Sequence, residues 1–119
     1  MERVSGIGGF FFRARDPEAL AAWYAANLGI ASVTDGAPWQ QEAGMTVFAP
    51  FPADTDYFGR REQPFMLNFR VTDLDAMLAQ LREAGGTVED DVVDESYGRF
   101  GYARDPEGNR FELWQPLDG

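Results

Sequence analysis

The chain has 119 residues, 45% of them hydrophobic and 14% aromatic, which is enough apolar surface to offset the ordering entropy of one globular domain and too little length for a multidomain machine. Its 20 acidic and 10 basic residues leave a net charge of −10, which repels phosphate backbones and anionic lipid, so neither a nucleic-acid nor a membrane partner is expected. Cys and His are absent and every basic residue is Arg, which removes Cys nucleophiles, His bases, Schiff-base lysines, disulfides and imidazole or thiolate metal ligands. No apolar run approaches ~18 residues and the first residues carry no signal-peptide pattern, so a soluble cytoplasmic protein is expected.

In chain order, the first element expected is a strand over residues 9–14. Phe10, Phe12 and Ala14 share one face of it and Gly9, Phe11 and Arg13 the other, as a period of two requires. Asp16 is placed to cap a helix whose first position is Pro17, and Leu20, Trp23, Tyr24 and Leu28 recur at helical spacing until Gly29 ends it. Short strands are expected over 30–34, 38–42 and 44–49. Residues 50–64 carry Pro50, Pro52, Gly59 and Pro64 among acids and aromatics, which is loop chemistry and marks a module boundary; Phe51, Tyr57 and Phe58 suit a lid.

The pattern then repeats. Placing Asp16 on Asp73 aligns Phe12 with Phe69, Arg13 with Arg70, Ala19 with Ala76, Ala22 with Ala79 and Gly29 with Gly86. In this second copy Phe65, Leu67, Phe69 and Val71 form the apolar strand face, with Met66, Asn68 and Arg70 opposite. Leu74, Met77, Leu78 and Leu81 form the stripe of a second helix capped by Asp73. Strands are expected over 86–93, 97–103 and 109–115, the last two joined by a turn at Asp105-Pro106-Glu107-Gly108-Asn109. Both units read βαβββ.

Two such modules in tandem, the helix starts at Arg13-Ala14-Arg15-Asp16-Pro17 and Phe69-Arg70-Val71-Thr72-Asp73, and the closing run from Asp105 to Trp114 together resemble the vicinal oxygen chelate superfamily. This is the group of glyoxalase I, bleomycin and fosfomycin resistance proteins and extradiol dioxygenases. The resemblance implies an α+β fold in which modules of about residues 1–57 and 58–119 form a single glyoxalase-like domain, a curled mixed sheet around a shared concave cleft with the helices outside. It also implies a homodimer. Metal-using members hold a divalent ion through a His or equivalent on the first strand of each module and a Glu on the last strand of one or both. Here those positions fall on Gly9, on Met66, near Thr46 or Phe48, and on Glu112. One carboxylate does not replace the three or four good donors such ions need, so no metal and no cofactor is expected.

Glu112 alternates with Phe111 and Leu113, so if those two pack under the helices, Glu112 and Trp114 face the concave side. A partly desolvated carboxylate there suits a general base or a hydrogen-bond acceptor for a ligand; the competing reading pairs it with Arg110, Arg70 or Arg13. Phe11, Phe48, Met66 and Trp114, with Asn68 as a polar handle, fall on the same interior face. They either line a site for a small, flat, mostly apolar ligand or simply fill the space between modules. Trp39, Gln40, Gln41, Glu42, Tyr97, Arg99 and Tyr102 are candidates for its rim. The acidic run Glu89-Asp90-Asp91 with Asp94 and Glu95 lacks calcium-loop spacing and reads as a solvated sheet edge. The function expected is metal-free binding of a small, partly apolar ligand in the inter-module cleft. The alternative is a divalent-metal-dependent lyase, isomerase or dioxygenase of the glyoxalase type with Glu112 as its catalytic residue.

Overall fold

Both aspartate caps form. In the computed structural model, which describes residues 1–31 and 38–117, Asp16 Oδ1 accepts from the Ala19 N–H at 3.2 Å and Asp73 Oδ1 from the Ala76 N–H at 3.0 Å. They start helix α1, Pro17–Leu28, and helix α2, Leu74–Glu83. Gly29 ends α1 in the left-handed conformation, which turns the Gly29 and Ile30 N–H groups back onto the carbonyls of Ala25 and Tyr24. The left-handed residue after α2 is Gly85, one position before the glycine that the repeat aligns with Gly29.

Among the described residues, five strands make one open, mixed sheet. These are β1 (Leu67–Arg70), β2 (Thr87–Val88), β3 (Val93–Glu95), β4 (Gly98–Arg104) and β5 (Arg110–Pro116). The order is β1-β5-β4-β2, with β3 also on β4; β1 runs parallel to β5 and the other pairs are antiparallel. The alternation along β5 divides the sheet into two faces. Phe111 and Leu113 point to the helices and pack with Ala103 and with Leu74, Leu78 and Leu81 of α2, while Leu67, Phe69 and Val71 close the edge of this cluster. Each fully buried Leu or Phe here contributes roughly 1.5–3 kcal/mol relative to exposure. Helix α1 docks beside it through Leu20 and Tyr24, whose hydroxyl donates to Asp105 Oδ2 at 2.7 Å. Both helices lie on this face, so the opposite face holds Asn68, Glu112, Tyr102 and Trp114.

The first half of the chain departs from the sequence reading. Residues 9–14, 38–42 and 44–49 form no strand, and of the candidate at 30–34, residues 32–34 lie outside the described residues. The alternation at the start is visible only in packing: Phe10 and Phe12 meet Phe65 edge-on, while Phe11 is exposed. Over 38–50 every residue is exposed, Met45, Val47 and Phe48 included. A hairpin without a buried face is marginal at best, and these segments pair with none of the five strands. The Arg70 guanidinium instead gathers the carbonyls of Glu42 and Met45. A curled sheet shared by two modules is therefore absent among the described residues, and the expected strand 86–93 is divided into β2 and β3 around Glu89, Asp90, Asp91 and Val92.

Candidate functional site

Strand pairing alone assembles the centre of the site. Glu112 on β5 stands opposite Asn68 on parallel β1 and opposite Tyr102 on antiparallel β4, so three polar side chains form one row across the face away from the helices. Glu112 is 8% exposed. Its Oε1 accepts from the Asn68 amide at 2.5 Å and its Oε2 from the Tyr57 hydroxyl. Because the Tyr57 proton goes to the carboxylate, the Tyr102 hydroxyl, 2.6 Å away, donates in turn to the Tyr57 oxygen. Burial, reinforced by hydrogen bonding to Glu112, pushes the Tyr57 phenol well above the ordinary tyrosine range, and burial likewise raises Tyr102. Both stay neutral donors at physiological pH.

Tyr57 reaches this row from the loop that precedes β1. The loop is fixed at both ends of the contact. Arg110, two residues before Glu112 on the same face, donates to the Tyr57 carbonyl and lies over the Tyr102 ring at 4.2 Å. The buried Gln63 side chain pairs with the Arg110 backbone in both directions, at 2.7 and 2.8 Å, as a strand neighbour would. Arg110 itself is held by a bidentate pair to Glu89 at 2.6 and 2.8 Å, which draws the Glu89 carboxyl below its ordinary range. The expected pairing of Glu112 with Arg110, Arg70 or Arg13 is thus not made: Arg110 takes Glu89, and Arg70 takes backbone carbonyls.

The next row on this face holds Arg70, Trp114 and Phe100. Trp114 is buried, its ring parallel to that of Phe100 and its Nε1 donating to the Tyr97 carbonyl at 3.1 Å. The indole fits because residue 98 is glycine; a Cβ there would lie 2.5 Å from Trp114 Nε1, and the φ of +143° excludes most L side chains. Of the other expected site residues, Met66 is half-buried just before β1, and Asn68 is the exposed member of its row. Phe11 and Phe48 are 95% and 84% exposed, in segments that join no sheet.

Sequence reasoning placed Tyr57 in a lid and Tyr102 on a rim, and missed that both hydroxyls converge on Glu112. For Tyr102 a signal existed. A hairpin closing at Asp105–Asn109 sets residue 102 opposite residue 112. Nothing in the local pattern of the loop singles out Tyr57 from Phe51 and Phe58.

Compared with protein-family models, the sequence matches the glyoxalase-like domain over residues 9–114. The chain belongs to that family. Among solved structures, this glyoxalase-like chain is similar to TnmS3, an antibiotic binding protein from Streptomyces sp. CB03234, at 26% identity and a TM-score of 0.63, covering 98% of this chain and 99% of that one. A glyoxylase/bleomycin resistance protein/dioxygenase domain from Frankia sp. EAN1pec matches at 16% identity and a TM-score of 0.62, covering 96% and 99%. A member of the same superfamily from Sphaerobacter thermophilus DSM 20745 matches at 20% identity and 0.52, covering 86% and 90%. No curated protein matches the sequence.

The divalent ion of metal-using members does not fit the residues present here. Gly9 and Met66, the positions that the resemblance gives to imidazole ligands, offer no imidazole, both Glu112 oxygens are engaged by Asn68 and Tyr57, and no three His, Cys, Asp or Glu side chains converge among the described residues. The chemistry of the row is that of a carboxylate acceptor supplied by neutral donors.

Proposed function

We propose that this glyoxalase-like chain binds a small, partly apolar ligand without a metal, on the sheet face that carries Glu112. The observation that supports it most is the state of Glu112. A buried carboxylate that accepts from one amide and one phenol, both neutral, keeps lone pairs to spare for a ligand donor, and the exposed Asn68 beside it leaves the row open to solvent on one side. In this reading a ligand N–H or O–H takes over one of the two bonds now made by Asn68 and Tyr57. Trp114 and Met66 supply apolar surface, and Phe11 and Phe48 close over the ligand from the first module. Similarity to TnmS3, an antibiotic binding protein, supports binding over turnover.

We also read residues 1–57 and 58–119 as two modules of one domain that pairs with a second copy of itself. Met45, Val47, Phe48 and Phe11 are exposed, in segments that join no strand. Apolar surface of that kind is normally covered by a partner. Light scattering at micromolar concentration tests this; a monomer would remove the claim.

A screen of flat aromatic fragments by thermal shift, with tryptophan emission as the second signal, tests the binding reading. Hits that lose their shift in both Glu112→Gln and Asn68→Ala, with both variants folded, are the expected result. Hits unaffected by either variant would place the ligand elsewhere.

A further inference from the structure

We propose a second small-molecule site, separate from the Glu112 row, at the seam between the segment leading into α1 and the β4–β5 turn, which takes a small aromatic carboxylate. Two adjoining clefts of about 340 and 270 Å³ share Arg15 and Glu107 as a common wall. The first is lined in addition by Arg13, Arg60 and Asn109. The second is mostly apolar, lined in addition by Ala19, Leu20, Trp23 and Pro106 and, at its edge, by the capping Asp16. Neither includes a residue of the row around Glu112.

The carboxylates at this seam are already committed. Glu107 accepts the Arg15 and Asp16 N–H groups at 2.7 and 2.9 Å, and Asp16 caps Ala19, so the start of α1 is satisfied by the chain itself and leaves no anion site there. The cations are not committed. Arg60 donates only to the neutral Glu107 carbonyl and the Asn109 side-chain oxygen, and neither Arg13 nor Arg60 makes an ion pair among the described residues. Arg13, Arg15 and Arg60 bring three guanidinium groups to the first cleft against the one carboxylate of Glu107, a local excess of positive charge in a chain with twice as many acids as bases.

Two guanidinium forks match a carboxylate, and the adjoining cleft with its half-buried indole matches a ring. The shared wall makes the two needs continuous. Phosphate alone would use the first cleft and leave the second empty, and a neutral arene would do the reverse.

The test is an NMR titration of the full chain at low ionic strength with hydrocinnamate, using propionate and hydrocinnamyl alcohol as the head-only and ring-only probes. Saturable amide shifts are expected at residues 13–23, 60 and 106–109, with each truncated probe binding at least about tenfold more weakly. The Arg13→Gln/Arg60→Gln double variant and, independently, Ala19→Glu on the exposed first turn of α1 are each expected to weaken hydrocinnamate at least about tenfold with the amide spectrum retained. Glu112→Gln is expected to leave hydrocinnamate binding unchanged, which separates this site from the one proposed above. Shifts that do not saturate, that map onto Asn68 and Glu112, or that persist undiminished in either cleft variant would overturn it.

Discussion

Asn68 and Glu112 stand directly opposite one another on parallel strands β1 and β5, and the Asn68 amide donates to the Glu112 carboxylate across that pair at 2.5 Å. The contact needs no loop and no ligand, because the backbone register alone brings the two side chains together. The second carboxylate oxygen is different, since its donor, Tyr57, comes from a loop held by Arg110 and Gln63. One half of the acceptor is thus fixed by strand register and the other by side-chain contacts from a loop.

Tyr57→Phe tests that division. The substitution removes the donor to Glu112 and the acceptor for Tyr102 while keeping the ring. A loss of about 1–2 kcal/mol in urea unfolding is expected, the cost of a partly buried acceptor left without its partner. An unchanged midpoint would mean that the Tyr57 hydroxyl does not hold the loop to the sheet.

A second clamp joins the two halves of the chain. Asp105 is buried and accepts from the Tyr24 hydroxyl, the Glu107 and Asn109 N–H groups and the Asn109 amide. Asp105→Ala is expected to destabilise by about 3 kcal/mol or more, and Tyr24→Phe by about 1 kcal/mol. In the double variant the Tyr24 loss should vanish, since its partner is already gone; fully additive losses would contradict the contact.

Much of this was legible in the sequence, and the limit has a physical cause. The closing run Asp105 to Trp114, the two aspartate caps and the apolar stripe of α2 follow from local chemistry, and each formed in place. The face of Glu112 followed from alternation with Phe111 and Leu113. Among the described residues the expected strands at 9–14, 38–42 and 44–49 did not form, because alternation specifies which face would be buried only if something is there to bury it, and residues 38–50 stay exposed. The Glu112 partners were misread for a related reason. Arg110 shares its face, but a competing carboxylate, Glu89, lies within bidentate reach on the other side of β4 from β5.

Alkaline titration gives a signed prediction. Tyr24, raised by burial and by its bond to Asp105, and Tyr57 and Tyr102, raised by burial, all bind their protons more tightly folded than unfolded. Their contribution is fully present below the unfolded tyrosine pKa of about 10 and is lost as pH rises beyond it. Stability should therefore fall above about pH 10, and tyrosinate absorbance from these three should appear only together with unfolding. Ionisation of all three in the folded protein near that pH would contradict their placement.

Elemental analysis of untagged protein addresses the metal directly. Far less than one equivalent of Ni, Zn or Fe is expected, because both Glu112 oxygens are engaged by Asn68 and Tyr57 and no three carboxylates converge among the described residues. A near-equimolar transition metal would favour the enzymatic reading built on Glu112.

The most direct measurement is the affinity of the strongest aromatic hit, determined by calorimetry in the presence of a chelator, for the wild-type chain and for Glu112→Gln. The account predicts saturable binding that survives the chelator and weakens at least about tenfold in the variant, as expected when a buried charged acceptor is replaced. Binding that disappears with the chelator, or that is equally tight in Glu112→Gln, would contradict it.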